Sequence, residues 1–536
     1  MKTLWQLILI LPFVISCNSE EKADDVFKYN ETAGVLTLDP AFAKDLPHIW
    51  VCNQLYNGLV ELDSKLNIKP SLATDWNVSP DGLLYEFHLR TDVFFHDHPV
   101  FDGAKRKFVA KDVVYSFNRL LDERLASPGR WIFNQVARNN DSLDIIAIND
   151  STLKIRLARP FPAFLSLLGM AYASVIPSEI VAMEGQEFRR RPVGTGPFFF
   201  KFWEEGVRLV FRKNPHYFEM ENGVRLPKLE AVSVSFLSDK QTAFMEFIKG
   251  RLDFMSGIDA RYKDELLTRK GYLRKGYADK INLIREPYLN TEYLGFFLGE
   301  NKKSPLSAEQ YLALRKAINY GIDREKMLRY LRNNVGYPGH SGMIPKGLQG
   351  YDTTTSIGYK FDQDIASQLV KANKLEGYEI TVSVTNEYVD LVKYIQAQLG
   401  QIGIKIKIEV LPTATLRLLR AQGKLEVFRA SWVADYADAE NYLSLFYSPN
   451  FAPVGPNYTH FADKTFDSLF ENAYSIANIN QRAQEYRKLD SIVMSNAAVV
   501  VLYYDEVLRF TQKNIHNFEG NLSSQLDLKR VWKSVK

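Results

Sequence analysis

The segment from residue 379 to residue 410 constrains the fold most tightly. Apolar residues alternate with polar ones at both of its ends and follow helical spacing between them. The alternating residues are Ile380, Val382 and Val384, then Ile404, Ile406, Ile408 and Val410, and the helically spaced ones are Tyr388, Leu391, Val392, Ile395 and Leu399. A period of two indicates a strand and a period of 3.6 indicates a helix. The pattern therefore predicts a strand–helix–strand unit in an α/β sheet.

A further strand of the same sheet is predicted downstream. Residues 425–433 contain neither Gly nor Pro and are rich in residues that favour strands. On this strand Arg429, Ser431 and Val433 share one face, and Trp432 points the other way. The chain then enters an acidic and aromatic loop that carries Asp435, Tyr436, Asp438, Glu440 and Tyr442.

Asp435 is the strongest candidate for a binding residue. It lies just past the carboxyl end of the predicted strand, where ligands of α/β sheets usually bind. A fixed carboxylate between aromatic side chains suits a ligand ammonium group, through charge and through cation–π attraction. The alternative is an exposed loop whose acidic side chains face water.

Length and charge limit the class of protein. A chain of 536 residues is too long for one core, and about three domains are expected. A hydrophobic content of 46% with 13% aromatics indicates a folded globular protein. The 67 basic and 63 acidic residues are spread evenly. Since no basic stripe is interleaved with aromatic residues, we expect no nucleic-acid partner.

The N-terminus predicts export. Residues 1–16 read as a signal peptide, because a basic start precedes an apolar run that is too short to span a membrane. The run ends in V-I-S-C, which resembles a bacterial lipobox and implies diacylglyceryl modification of Cys17. The alternative is an ordinary secretory signal with a chance cysteine. Residues 17–25 then form a polar tether, and Cys52, the other cysteine, is expected to be unpaired and buried rather than in a disulfide.

Six segments, in order along nearly the whole mature chain, carry a recognisable pattern. They are Leu38 to Ala41, Leu55 to Asp63, Pro70 to Arg90, Val193 to Phe198, Leu314 to Lys326 and Trp432 to Leu443. Together they resemble the solute-binding proteins of peptide and nickel ABC transporters, the oligopeptide- and dipeptide-binding family (extracellular solute-binding protein family 5). The resemblance implies a two-lobed, periplasmic-binding-protein-like α/β fold of class II type. Mixed sheets flanked by helices and an extra domain are implied, with the ligand cleft between the lobes.

The resemblance also implies a domain division and a hinge. Domain I would comprise 26–57, 190–285 and 498–536, domain II 58–189, and domain III 286–497. Domains I and II would form one lobe and domain III the other. The lobes would close on the ligand about the hinge.

Nine residues are implied to contact the ligand. They are Lys44, Asp45, Leu46, Arg429, Ser431, Trp432, Val433, Asp435 and Tyr436. In peptide-binding members the aspartate of a W-x-x-D motif binds the peptide ammonium, and Asp435 matches it. The backbone at 44–46 and 431–433 would pair with the ligand backbone, and Arg429 matches an arginine available for peptide carboxylates in some members. Ala437 and Ala439 stand where prolines are frequent, which leaves the ligand class more open than the fold.

The predicted function is an extracytoplasmic, lipid-anchored, monomeric receptor that delivers short peptides to the permease subunits of an ABC importer. Neither catalysis nor a cofactor is expected. A nickel chelate, haem or an oligosaccharide remains an alternative ligand.

Two other motifs are weighed against this prediction. A secreted serine peptidase or acyltransferase would use Ser151 of an S-x-x-K tetrad, but that motif needs a helix and the segment predicts a strand. His96 and His98 offer two imidazoles, whereas a metal site needs three or four ligands. The resemblance implies a surface turn at this segment, and we expect no metal to be bound.

Overall fold

The computed structural model describes residues 25–259, 262–300, 304–352, 354 and 357–534. The predicted signal peptide, Cys17 and the tether up to residue 24 lie outside the described residues. No helix in the described ranges combines the length and the apolar character that a membrane span requires.

The strands of the described residues are short, apart from two. They are β1 Val26–Asn30, β2 Val60–Leu62, β3 Ile68–Pro70, β4 Ala73–Val78, β5 Leu84–Leu89, β6 Arg138–Asn139, β7 Ser142–Leu143, β8 Ile145–Asn149, β9 Thr152–Arg156, β10 Phe198–Glu204, β11 Arg208–Lys213, β12 Met220–Glu221, β13 Val224–Arg225, β14 Ala231–Ser235, β15 Phe254–Ser256, β16 Ile281–Phe296, β17 Tyr337–Pro338, β18 Glu379–Val384, β19 Lys405–Val410, β20 Val427–Val433, β21 Val499–Gln512, β22 Ile515–His516 and β23 Trp532–Lys533. The two long strands are β16 and β21.

Helices are distributed along the whole described chain. The α-helices are α1 Leu46–Leu55, α2 Ala110–Arg119, α3 Phe164–Leu168, α4 Ser178–Glu184, α5 Lys240–Ile248, α6 Lys263–Leu266, α7 Lys275–Ala278, α8 Ala308–Tyr320, α9 Arg324–Leu331, α10 Gln363–Ala372, α11 Val389–Gly400, α12 Thr413–Ala421, α13 Glu440–Leu443, α14 Lys464–Ala473 and α15 Ile479–Ser495. Short 3-10 helices lie at Pro40–Phe42, Pro99–Phe101, Arg130–Phe133, Ala171–Ala173, Gly185–Arg189, Asn386–Tyr388, Ser444–Phe446 and Ser448–Asn450.

The predicted strand–helix–strand unit is confirmed. It consists of β18, α11 and β19, and the two strands pair in parallel from Glu379 opposite Lys405 to Val384 opposite Val410. The predicted downstream strand is β20, which pairs with β18 in parallel. The alternation of apolar residues works as a predictor here because the strands bury most of these side chains in one core with residues of neighbouring helices, although Val410 at the end of β19 is exposed.

One large sheet runs through the molecule in the order β10-β11-β14-β1-β15-β21-β16-β20-β18-β19, with β17 also paired to β21. Strands β16 and β21 are antiparallel neighbours along almost their whole length, but their register shifts between Pro287 and Thr291. On one side of this shift β21 pairs with β15, and on the other side β16 pairs with β20. The sheet therefore has two halves, joined by two continuous strands.

Hydrophobic packing follows the same division. One core joins residues from 27–254 with residues from 515–531 and includes the small sheet β4-β5-β9-β8. Two other cores are built almost entirely from residues in the 289–504 range. These are the two lobes, which we call the first and the second lobe. The predicted boundary at 285/286 falls inside β16, which passes it without a break.

Two motifs set aside in the sequence have structural roles. Ser151 immediately precedes β9, and its hydroxyl donates to Asn149 Oδ1 at 3.2 Å, while Lys154 forms an ion pair with Glu86 at 2.9 Å. The predicted strand is thus confirmed.

The expected surface turn at His96 is wrong, because this side chain is buried against the loop at 194–196. Its Nδ1 accepts from the N–H of Gly194 at 3.2 Å, and burial lowers its pKa to about 4.

Candidate ligand-binding cleft

A cavity of about 460 Å³ lies where the two lobes meet. Its wall includes Lys44, Asp45, Leu46, Trp131 and Tyr172 from the first lobe and Tyr288, Val433, Asp435 and Tyr436 from the junction and the second lobe. Six of the nine residues predicted from the sequence therefore line one cavity, although they come from segments almost 400 positions apart in the chain. Its volume is in the range typical of small-molecule sites.

The first-lobe wall is fixed by the start of helix α1. Asp45 is the N-cap of this helix, and its carboxylate accepts from the N–H of His48 at 3.3 Å. The same oxygen contacts Nδ1 of the buried His48 ring, whose Nε2 accepts from the N–H of Leu36 at 3.1 Å. Asp45 is therefore held by the helix and by an imidazole, whereas Lys44 is exposed beside it.

The loop that carries Asp435 is ordered by the buried side chain of Asn441. Its Oδ1 accepts from Trp432 Nε1 at 2.8 Å and from the Asp435 N–H at 3.1 Å. Its Nδ2 donates to Asp435 Oδ2 at 3.4 Å. One amide side chain thus fixes both ends of the W-x-x-D motif and holds the Asp435 carboxylate toward the cavity.

Asp435 differs from the other acidic residues of its loop in the partners that the described residues offer it. It is open to the solvent that fills the cavity, yet protein from both lobes surrounds it, and this partial desolvation raises the pKa of its carboxyl. The hydrogen bond from Asn441 opposes the rise. Within the part of the chain that the structure describes, Asp435 forms no ion pair with lysine, arginine or histidine. A carboxylate in this setting is stabilised by an incoming cation.

The other two acidic residues of this loop are buried, so the alternative of an exposed acidic loop is wrong for them. Asp438 pairs with Arg482, with Oδ2 and Nη2 3.4 Å apart. Glu440 accepts hydrogen bonds from the hydroxyl groups of Tyr436 and Tyr474, the latter at 2.8 Å. Burial raises the pKa of Glu440 to about 7.

Aromatic rings connect the lobes beside Asp435. Tyr436 lies with its ring centroid 6.1 Å from that of Trp131 and 6.1 Å from that of Phe161. Tyr474 lies 5.8 Å from Phe161, and the Arg159 guanidinium carbon lies 5.0 Å from the Tyr474 ring. Tyr436 and Tyr474 also donate hydrogen bonds to Glu440 of the Asp435 loop. The two tyrosines therefore link this loop to the aromatic rings of the first lobe.

Strand β20 offers an open edge that leads to the cavity. On one side it pairs with β16 from Val427 to Val433. On the other side, among the described residues, its pairing with β18 covers only Val427 and Phe428. The edge from Arg429 to Val433, which includes the predicted Ser431 and Trp432, is therefore free for an extended ligand to add as a strand.

Arg429 lies along this edge, but its charge is already matched. Its Nε and Nη2 both donate to the carboxylate of Glu292 on β16, and Nη2 lies 2.6 Å from Oε2. The Tyr388 ring covers the guanidinium, with the guanidinium carbon 3.3 Å from the ring centroid. Burial raises the pKa of Glu292 to about 7, and the guanidinium opposes this rise.

Sequence reasoning missed several residues of this region. The cavity wall also contains Trp131, Tyr172 and Tyr288. Glu292 accepts hydrogen bonds from the Arg429 guanidinium. Asn441 lies in the same segment as Asp435, and an amide next to a motif of this kind is a usable local signal. The others come from distant segments, and their sequence surroundings carry no comparable signal.

The family follows from comparison with known proteins. Residues 67–453 match the model of bacterial extracellular solute-binding proteins, family 5. Since this match covers more than half of the chain, the protein belongs to that family, and its two-lobed fold is that of a substrate-binding protein.

Two relatives and one solved structure are similar over most of their length. The probable D,D-dipeptide-binding periplasmic protein DdpA of Escherichia coli is 26% identical, over 97% of this chain and 96% of its own. Heme-binding protein A of Haemophilus influenzae is 28% identical, over 83% and 80%. The structure of HbpA2 from Haemophilus parasuis superposes with a TM-score of 0.83 at 22% identity, covering 95% of this chain and 100% of that one.

Proposed function

We propose that this protein binds short peptides in the cleft between its lobes and delivers them to the permease of an ABC importer. The observation that carries the proposal is Asp435, a carboxylate that has no cationic partner among the described residues and lies at the end of an open strand edge. A peptide ammonium placed there forms a charge-assisted bond in a partly dehydrated cavity. The peptide backbone pairs with the edge from Arg429 to Val433, and the backbone at Lys44 to Leu46 receives it from the first lobe.

The proposed division into domains follows the two lobes, with domains I and II in the first and domain III in the second. The shared core of the first lobe supports this grouping. Strands β16 and β21 supply the proposed hinge where their register shifts. The proposed role is binding without catalysis, as a monomer.

We propose further that the protein acts outside the cytoplasm, held to a membrane by lipid on Cys17. The V-I-S-C sequence and the periplasmic relative support this proposal. Two acyl chains anchor a protein stably, whereas one does not. We expect the Cys17→Ser variant, expressed in a bacterium, to move from the membrane fraction to the soluble fraction. A variant that stays with membranes would contradict the anchor.

The function is tested by incubating the purified protein with a mixture of tri- and tetrapeptides and analysing the complex by native mass spectrometry. We expect bound peptides to be recovered intact. Hydrolysed peptides would instead support an enzyme. Haem or a nickel chelate in the protein as purified, together with no peptide binding, would contradict the peptide assignment in favour of the alternative ligands.

A further inference from the structure

The ion pair between Arg429 and Glu292 occupies one edge of the guanidinium that a ligand carboxylate could use. Carboxylates bind arginine best in a bidentate arrangement along one edge of the guanidinium. Here Nε and Nη2, which form such an edge, both donate to Glu292. The side chain of Glu292 is 2% exposed and that of Arg429 is 14% exposed. Glu292 therefore is an internal carboxylate held in place by the fold.

A second guanidinium near Glu292, that of Arg332, is also hydrogen-bonded through each of its nitrogen atoms. Arg332 is close enough for its charge to lower the pKa of Glu292. Its Nη2 donates to Asp505 Oδ1 at 2.5 Å, its Nη1 to the Tyr503 hydroxyl at 2.9 Å, and its Nε to the Val335 carbonyl at 3.1 Å. Two guanidinium groups thus face two carboxyl groups, and the formal charges at this end of the edge balance.

The cavity at the other end has the opposite balance. Asp45 and Asp435 contribute two carboxylates to its wall, and Lys44 contributes one exposed ammonium group beside Asp45. Both carboxylates act on the same ring, because together with burial they raise the pKa of Tyr172 to about 12. The cavity therefore attracts cations and has little to offer an anion.

The strand fixes which ligands could reach both ends. Four residue steps separate Val433 from Arg429, which is about 13 Å along a strand. A ligand of three or four residues, extended from Asp435 along the open edge, would have its carboxyl end near Arg429. Tri- and tetrapeptides are therefore the ligands for which the Arg429–Glu292 pair matters most.

We propose that the cleft selects its ligand by the cationic end alone, and that Glu292 determines this selectivity by neutralising Arg429. The inference rests on the proposed peptide-binding function and names the ligand class more closely. Ligands with an amidated, esterified or absent carboxyl group bind as well as free peptides. Glu292 is a positioning residue, because it acts on the ligand only through Arg429.

The test compares free and C-terminally amidated tri- and tetra-alanine by titration calorimetry on the full mature protein. We expect the free acid and the amide to bind wild type within about twofold of each other. In Glu292→Gln the guanidinium is released, and we expect the free acid to bind at least about tenfold more tightly than the amide, as for a newly formed charge pair. Glu286→Gln, which changes a half-buried acid on the first-lobe half of β16, is the matched control and should keep the wild-type ratio.

The outcomes separate this inference from the function on which it rests. A wild type that binds the free acid at least tenfold more tightly than the amide overturns the inference and leaves peptide binding intact. A folded Glu292→Gln variant with an unchanged ratio also overturns it. If this variant does not fold, the wild-type ratio decides alone. If neither form binds wild type, the peptide assignment fails, and the inference fails with it.

Discussion

Arg429 lies on strand β20 and Asp435 lies on the loop that follows it, yet the surroundings of their two charges differ. The Asp435 carboxylate is open to the cavity, and its one side-chain partner among the described residues is the Asn441 amide. The Arg429 guanidinium is paired with a buried carboxylate and covered by an aromatic ring. The sequence resemblance predicts a ligand contact at both positions.

This difference shows that a position in a motif does not decide a role by itself. An unpaired charge in a partly dehydrated cavity gains a partner when ligand binds. A paired and buried charge must first lose its partner, and a buried charge left alone is costly. The two residues should therefore respond in opposite ways to mutation, one in ligand binding and the other in stability.

The largest effect is expected for the stability of Arg429→Met. This change leaves Glu292 buried without its partner, which typically costs about 3–5 kcal/mol. Urea denaturation should show this loss in the free energy of unfolding of the second lobe. Asp435→Asn is the matched control, and it should change stability by no more than about 0.5 kcal/mol because it breaks no ion pair. Equal losses in the two variants would remove the distinction between the two charges.

A smaller effect is expected where the lobes touch beside Asp435. Tyr474→Ala removes the ring contacts with Phe161 and Arg159. Such contacts contribute about 1–2 kcal/mol together, so peptide binding should weaken about five- to thirty-fold as the lobes spend less time in contact. Tyr474→Phe keeps the ring and loses only the hydroxyl bond to Glu440, so it should weaken binding less than Tyr474→Ala in the same titration. Unchanged binding in Tyr474→Ala would show that this contact does not support the ligand-bound arrangement.

The smallest effect is a change in the pH dependence of stability. Glu440 faces Tyr436, Tyr474, Asp438 and Arg159, and burial raises its pKa from 4.5 to about 7. Between these values the folded chain holds a proton that the unfolded chain has released, so this residue makes stability fall as pH rises from 4.5 to 7.

Glu440→Gln removes this titration. Its free energy of unfolding should fall less steeply over the same window, by at most about 1.4 kcal/mol per pH unit. Urea denaturation at several pH values measures the two slopes. Parallel curves for wild type and variant would contradict a proton held on Glu440.

The fold could be predicted where the sequence pattern is local. Strand β18, helix α11 and strand β19 follow their apolar periodicity because each buries one face. Strand β16 has no such pattern, although it joins the lobes. Its charged residues are paired with distant partners, such as Arg285 with Glu506 at 2.5 Å, and these interrupt the alternation. Nothing in one sequence indicates partners that are more than 200 positions away.

In the candidate site, too, the residues with a local sequence signal could be predicted and those with distant partners could not. Asp435 could be predicted because its position after a strand, between aromatic residues, is visible over a few residues. The pairing of Arg429 with Glu292 could not be predicted, because Glu292 lies on a strand 137 positions earlier in the chain. The resemblance to a family predicts which positions face the ligand, and the structure adds which of their charges are paired within the described residues.

The most direct measurement of the central claim is a cycle that combines Asp435→Asn with N-acetylation of the peptide. Removing one member of a desolvated charge pair typically costs about 2–5 kcal/mol, which is about thirty-fold or more in Kd. Each change alone should weaken binding by that factor in a calorimetric titration. The two together should weaken it little further, because both remove the same interaction. If free and acetylated peptides bind wild type equally well, Asp435 does not hold an ammonium group and the account is wrong.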